Sequence, residues 1–202
     1  MKKVSTIILL MTAWVVCSSF FFANTVTIQV EASEDDAIEN AAGTVGITAA
    51  NAPLANISGQ EWGGARFLSA AIPRGAKILS ATLTVQDTIG TRVINATVYC
   101  QAADNGAAFT TTTNDISART RTTASVEWDV ASTGTSGEIS PSFAAALQEV
   151  VNRDGWASGN AVVIIVDILT GSTCVTRSFN GNPTKAATLN VIYTRRRVWS
   201  IF

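Results

Sequence analysis

The side chains that can do acid–base chemistry in this sequence are carboxylates, because it contains no histidine. Without histidine, the chain cannot form a Ser-His-Asp or Cys-His nucleophile system, or a histidine-ligated zinc or iron site. Glu127 and Asp129 flank Trp128 in an alternating segment, which predicts both carboxylates on one strand face about 7 Å apart. Such a pair suits a glycosidase. Alternating strands also produce it by chance, so a glycosidase or lyase is the weakest alternative.

Acidic residues near the first predicted strand supply the oxygen ligands that calcium prefers. Glu34, Asp35 and Asp36 are consecutive, and Glu39 follows shortly after them. Asp104 opens an Asp-Asn-Gly sequence that can add further oxygens. Both segments also suit solvated turns, and EF-hand spacing is absent. The sequence therefore predicts either a calcium site formed by Glu34, Asp35, Asp36 and Asp104, or turns without a cation. No cofactor is required.

Two aromatic residues are candidates for stacking against a sugar ring. Trp62 lies in the glycine-rich sequence GQEWGGAR, where a loop can keep an aromatic face exposed. Tyr99 points outward from its predicted strand and can join the same platform. The alternative is that Trp62 folds over the edge of the domain as a packing residue.

Cys100 and Cys174 form a disulfide if the protein folds in an oxidising compartment. Strand parity argues against this bond, because Cys100 points inward while Cys174 opposes the apolar face of its own strand. Both outcomes remain open from the sequence.

Period-two alternation recurs along the chain and predicts about eight to ten short strands separated by turns. In one such strand Ala81, Leu83 and Val85 share a face, and in another Ile94, Ala96, Val98 and Cys100 do so. The predicted fold is all-β: an antiparallel β-sandwich of the jelly-roll type, with one short α-helix packed on a sheet.

The helix is predicted between Ser140 and Arg153, with Ser140 as N-cap and Pro141 at the first helical position. Gly155 is expected to end it in the left-handed conformation. Its apolar stripe consists of Phe143, Leu147, Val150 and Val151.

The strand after the helix, Ala161 to Val166, is apolar on both faces and must be covered twice. The simplest arrangement places the helix stripe over its outer face. Trp156 is then expected to fill the corner between helix and sheet.

The two ends of the chain differ from the region between them. Residues 1–23 begin with two lysines followed by an uncharged stretch, as in a signal peptide or a retained hydrophobic anchor. A single domain is expected over residues 24–194. Residues 195–202 form a basic-aromatic tail that either docks on a partner or is disordered. The docking residues would be Arg195, Arg196, Arg197, Trp199 and Phe202.

Five segments occur in the order seen in one known family: ASEDDAIEN, GARFLSAAIPRGAKILSATLTV, ADNGAAFTTTTNDISARTRTTASVEWDV, LQEVVNRDGWASGNAVVIIV and SFNGNPTKAATLNVIYT. Over residues 25–194 the chain resembles DNRLRE-type domains. These look like carbohydrate-binding modules with a β-jelly-roll fold, and occur on extracellular bacterial proteins and phage structural proteins. The resemblance implies a non-catalytic domain but no particular ligand. Gln101 and Asn180 stand where relatives tend to carry acids, which weakens any cation or sugar site that depends on those acids.

The expected function is that of a secreted or surface-displayed module for interaction, assembly or glycan binding. Its partners would be a polysaccharide or other copies of itself, with membrane contact only through the N-terminal segment. The net charge is -1 and most basic residues are scattered, which argues against nucleic acid as a partner. The alternative is a structural subunit of a phage particle or an extracellular filament that assembles through its termini.

Overall fold

The computed structural model describes residues 22–56, 61–86, 91–133, 137–171 and 174–195. Twelve strands and one α-helix lie within these ranges. In chain order they are β1 (Phe22–Gln29), β2 (Asp36–Glu39), β3 (Val45–Gly46), β4 (Asn51–Asn56), β5 (Glu61–Phe67), β6 (Lys77–Val85), β7 (Thr91–Cys100), β8 (Val126–Thr133), β9 (Glu138–Ile139), α1 (Ala144–Val151), β10 (Val162–Gly171), β11 (Cys174–Arg177) and β12 (Thr188–Arg195).

The strands form two main sheets in which every pair is antiparallel. One sheet has the order β1-β12-β6-β9 and the other β3-β2-β5-β10-β7-β8, while β4 and β11 form a separate pair. Without β2, β3, β4 and β11, the two orders become β1-β12-β6-β9 and β5-β10-β7-β8, which is a jelly roll. The predicted all-β sandwich with one short helix is confirmed.

The main hydrophobic core lies between the two sheets. The alternating residues Ala81, Leu83 and Val85 of β6 and Ile94 and Val98 of β7 all point into it and are fully buried. A smaller cluster covers the outer face of the six-stranded sheet, where its buried members are Ala37, Val45, Phe109, Ile116, Val163 and Ile165.

The helix begins three residues later than predicted, at Ala144, and Ser140 is not its N-cap. Ser140 instead pairs with β6: its backbone N–H donates to the Leu83 carbonyl, and its Oγ accepts from the Leu83 N–H at 2.9 Å. The hydroxyl therefore satisfies a strand-edge donor rather than a helix end. Gly155 does not adopt a positive φ, so the predicted left-handed cap is also wrong.

The segment before α1 and the helix itself cover the edge of β6. The Oγ of Ser142 accepts from the Ala81 N–H at 3.1 Å, and the Gln148 side chain accepts from the Ile78 N–H at 2.9 Å. The helix packs against β6 and β7, with its predicted stripe buried in the main core. One function of α1 is thus to close this side of the sandwich.

Strand β10 is buried on both faces, as predicted, but the helix does not cover its outer face. Val163 and Ile165 pack instead beneath Phe109 and Ile116, which belong to residues 101–125 between β7 and β8. We call residues 101–125 the cover segment. Trp156 does fill a corner of the main core: it is 3% exposed, and its Nε1 donates to the Ile72 carbonyl at 2.9 Å.

Candidate functional site

A row of five side chains crosses the outer face of the six-stranded sheet. Glu39 of β2 lies opposite Trp62 of β5, and Trp62 lies opposite Asp167 of β10. Asp167 lies opposite Thr97 of β7, which in turn lies opposite Glu127 of β8. Because directly opposed residues in antiparallel strands share a face, all five side chains point to the same surface. The row combines one aromatic ring with carboxylates and a hydroxyl.

Trp62 is part of strand β5 rather than the loop expected from its glycine neighbours. It is half-buried and packs against the outer cluster. Within the described part of the chain, its buried Nε1 and the buried Oε1 of Glu39 have no hydrogen-bond partner. An unsatisfied donor and an unsatisfied acceptor therefore occupy directly opposed positions in the row.

Tyr99 and Arg121 lie next to the row, where the cover segment meets the sheet. The guanidinium of Arg121 is 5.2 Å from the centre of the Tyr99 ring and donates to Asp167 at 2.9 Å. Tyr99 is half-buried on the outer face, as expected from its strand position. Because the Arg121 guanidinium stacks on the Tyr99 ring, a protein group already covers part of the surface that was predicted to stack against a sugar.

Around Thr97 and Glu127 at one end of the row, the sheet carries an open groove of about 220 Å³. Its floor includes Thr97, Glu127 and Asp129, so the two carboxylates do lie on one face as predicted. Asn95 donates to Asp129 at 2.7 Å and accepts from Thr170 at 3.1 Å. The groove thus presents amide, hydroxyl and carboxylate groups, and its remaining lining residues are Ala96 and Leu169.

The cover segment is held by Arg119, a residue that the sequence did not single out. Its guanidinium donates to the carbonyls of Ala107 and Ala108 at 2.8 Å and to the Asp115 carboxylate at 3.0 Å. It also lies 4.3 Å from the centre of the Phe109 ring. The Arg119 side chain therefore connects residues 107–109 to Asp115 within the cover segment. Only the sequence separation of Arg119 and Asp115 could have suggested a local pair.

Two carboxylates from outside also hold the cover segment. Glu39 accepts from the N–H groups of Ile116 and Ser117 at 2.8 and 2.9 Å. Glu149 of α1 accepts from the N–H groups at 123 and 124, both at 2.8 Å. Hydrogen bonds to charged acceptors are stronger than neutral ones, so these contacts hold the cover segment against β2 and α1.

The acidic residues predicted to bind calcium make separate contacts. Asp35 pairs with Arg66 at 2.7 Å, and Asp104 pairs with Arg153 at 2.6 Å. Glu34 is exposed. Over the described ranges, no group of three or more His, Cys, Asp or Glu side chains is arranged to hold a metal ion. The calcium site stays a prediction.

Asp36 is buried at the start of β2 and accepts from the Phe179 N–H at 2.7 Å, while its other oxygen lacks a described partner. Burial raises the pKa of Asp36 to about 7, against the opposing effect of that hydrogen bond. Burial also raises the pKa of Asp35, although the Arg66 guanidinium acts in the opposite direction. Asp36 is therefore a structural carboxyl with a perturbed pKa beneath the surface.

Cys100 is a free, buried thiol, so of the two outcomes that the sequence left open, the one without a bond to Cys174 is found. Cys100 lies at the end of β7 opposite Ile164 and points into the main core, whereas position 174 begins β11 opposite Asn56 in the separate pair. The two strands belong to different sheets. Burial raises the pKa of the Cys100 thiol, as expected for a packing residue.

Of the predicted docking tail, only Arg195 is described, and it is an exposed residue at the end of β12. It lines a shallow concavity with Pro73, Arg74, Gly75 and Ala76. Arg196, Arg197, Trp199 and Phe202 lie outside the described residues, as do residues 1–21. Within the described ranges, no helix has the length and apolarity needed to cross a membrane.

No protein-family model matches the chain, and a comparison with curated proteins found no match.

Proposed function

We propose that this protein is a non-catalytic, extracellular β-sandwich module that binds a polysaccharide in the groove beside Thr97. The observation that carries the proposal is the groove's composition: Asn95, Thr97, Glu127 and Asp129 line an open surface on neighbouring strands. Sugar hydroxyls are both donors and acceptors, so amide, hydroxyl and carboxylate groups together suit them. Trp62 lies two strands from Thr97 in the same row and is not part of the groove lining.

An open groove fits an extended chain better than a small enclosed ligand. Small-molecule sites are typically concave and bury most of the ligand, whereas this groove lies along exposed strand positions. Polar side chains dominate its floor, and Leu169, 49% exposed, supplies an apolar contact at its side. We expect modest affinity and dependence on several weak hydrogen bonds rather than on one anchor.

The test is affinity electrophoresis of the protein through gels containing single polysaccharides, followed by titration calorimetry on any that retard it. Asn95→Ala and Glu127→Gln should each weaken binding about fivefold, the loss of roughly 1 kcal/mol per hydrogen bond. Thr97→Val removes a hydroxyl group from the groove. Its matched control is Thr82→Val on the outer face of the other sheet. Thr97→Val should weaken binding and Thr82→Val should not.

Two outcomes would overturn the proposal. One is the absence of retardation by a broad polysaccharide panel, and the other is binding that Asn95→Ala and Glu127→Gln leave unchanged. The same samples distinguish a glycosidase. Release of reducing ends that Glu127→Gln abolishes would replace a binding module with a carboxylate enzyme.

A second candidate function is that of a structural subunit in a phage particle or an extracellular filament. One observation favours it: Phe22 of β1 lies opposite Arg195 of β12, so both chain ends connect to the same corner of the sandwich. Residues 1–21 and 196–202 can then act on one partner together. Truncation after Arg195 should reduce the assembly mass measured by light scattering. An unchanged mass would argue against assembly through the tail.

A further inference from the structure

The edges of the two main sheets are protected to very different degrees. A free strand edge exposes unpaired backbone N–H and C=O groups and can pair with another chain. On the six-stranded sheet, β3 is only two residues long, and β8 carries the charges of Glu127 and Asp129. On the four-stranded sheet, residues 140–143 and β9 cover β6. These three edges carry the usual protection.

Strand β1 has none of these protective features. It is eight residues long with the sequence FANTVTIQ, which contains no charged residue and no proline. It pairs with β12 over its full length without a register shift, so it also lacks a bulge. Within the described residues its other edge has no strand neighbour.

The side chains of β1 are also incompletely covered. Val26 and Ile28 face the main core but remain half-exposed at its margin. Thr25 and Thr27 are exposed on the opposite face. A strand added beside β1 would bury more of Val26 and Ile28, and would place its own β-branched residues next to these threonines.

We propose that β1 is a docking edge for β1 of a second copy of this chain. Antiparallel pairing around a two-fold axis would place Val26 opposite Val26 and Thr25 opposite Thr27 of the other copy. This register places Val26 opposite Val26 and Asn24 opposite Ile28 on the core side, with the threonines on the outer side, and it opposes no like charges because the strand has none. The valine and threonine positions of β1 are thus complementary to themselves.

This pairing joins the two four-stranded sheets into one continuous sheet. It is independent of the proposed polysaccharide site, because the groove lies on the other sheet. It also differs from assembly through the tail, because it needs only residues of β1. A strand from an unrelated protein is the competing occupant, but the uncharged edge offers that strand no charged group for selective recognition.

The test measures the mass of the full-length protein by sedimentation velocity over a concentration series. The double variant Thr25→Lys and Thr27→Lys places lysines opposite each other across the proposed edge. Like charges in opposed positions destabilise strand pairs, so the dimer dissociation constant should rise at least about tenfold. The matched control is Ser80→Lys with Thr82→Lys, two residues apart on the same outer face but on β6. This control should remain a dimer.

Three results would overturn the proposal: a wild-type monomer at the highest soluble concentration, a dimer unaffected by the β1 lysines, or equal dissociation by both lysine pairs. The last would indicate contact between sheet faces. A second variant tests the register directly. With Cys17 and Cys174 replaced by serine, Val26→Cys should form an oxidised covalent dimer, and Ile28→Cys should do so far less. Equal yields from both, or none from Val26→Cys, would exclude this register.

Discussion

Gly64 of β5 lies directly beneath the aromatic ring of Phe109, so closely that a Cβ at position 64 would overlap the ring. Because Gly64 has no side chain, the Phe109 ring of the cover segment has room to pack against β5 at this position. Phe109 is 2% exposed and packs there with Ile116, Val163 and Ile165. The position of the cover segment on the sheet therefore depends on one glycine at a strand position where a side chain would ordinarily stand.

Gly64→Ala should displace Phe109 and destabilise the protein by about 1–3 kcal/mol, the usual cost of overpacking a well-filled core. Urea unfolding measures the loss. Gly46→Ala is the control, because a Cβ there would meet its nearest neighbour at an ordinary 3.7 Å. Equal effects of the two substitutions would mean that the Phe109 contact does not determine the outcome.

Arg119→Ala should loosen the cover segment without unfolding the sandwich. The substitution removes the bonds to Ala107, Ala108 and Asp115 and the contact with the Phe109 ring. We expect faster hydrogen exchange at residues 107–118 and little change in β6 or β12, because local opening then costs less free energy. A uniform increase over all strands would show that Arg119 supports the whole fold instead.

Trp156→Phe should cost about 1–3 kcal/mol, because it leaves the buried Ile72 carbonyl without its donor and removes part of a core side chain. The chemical denaturation midpoint should fall while polysaccharide binding stays unchanged. Loss of binding with stability intact would instead make Trp156 a site residue.

Asp36→Asn should change the pH dependence of stability. The folded pKa of about 7 lies above the ordinary 3.8, so the folded state favours the protonated carboxyl. Its contribution to stability is fully present below about pH 4 and is lost as the pH rises to about 7. Relative to wild type, Asp36→Asn should gain stability over that interval, by at most about 1.4 kcal/mol per pH unit.

Urea unfolding at several pH values measures this difference in unfolding free energy between Asp36→Asn and wild type. A difference that stays constant from pH 4 to pH 8 would show that Asp36 does not titrate in this range.

Local patterns predicted the strands and the core faces well. The alternation of Ile94, Ala96 and Val98 places them on one face whatever strand lies beside them, because side chains alternate along any strand. The apolar stripe of α1 was also predictable from a local repeat, because residues three and four apart share one face of a helix. The helix start was not, because Ser140 bonds to β6, and only the tertiary structure brings that strand edge to the serine.

The candidate site is formed by strands that are far apart in the chain and pair with each other only in the folded protein. Sequence alone identified Trp62, Tyr99, Glu127 and Asp129, but it placed Trp62 in a loop and gave no reason to join it to Asp167 or Thr97. The bond between Cys100 and Cys174 stayed an open alternative for a similar reason, because the sequence shows that a cysteine points inward but not which sheet its strand enters.

The fold class, the buried faces and the absence of histidine chemistry were therefore predictable without a structure, since these depend on composition and on a local repeat. Only the folded structure shows which side chains of different strands stand together, what covers β10 and which edge has no strand neighbour among the described residues. Strand order and register arise from contacts between residues far apart in the chain. The periodic pattern of one strand does not identify the strand with which it pairs.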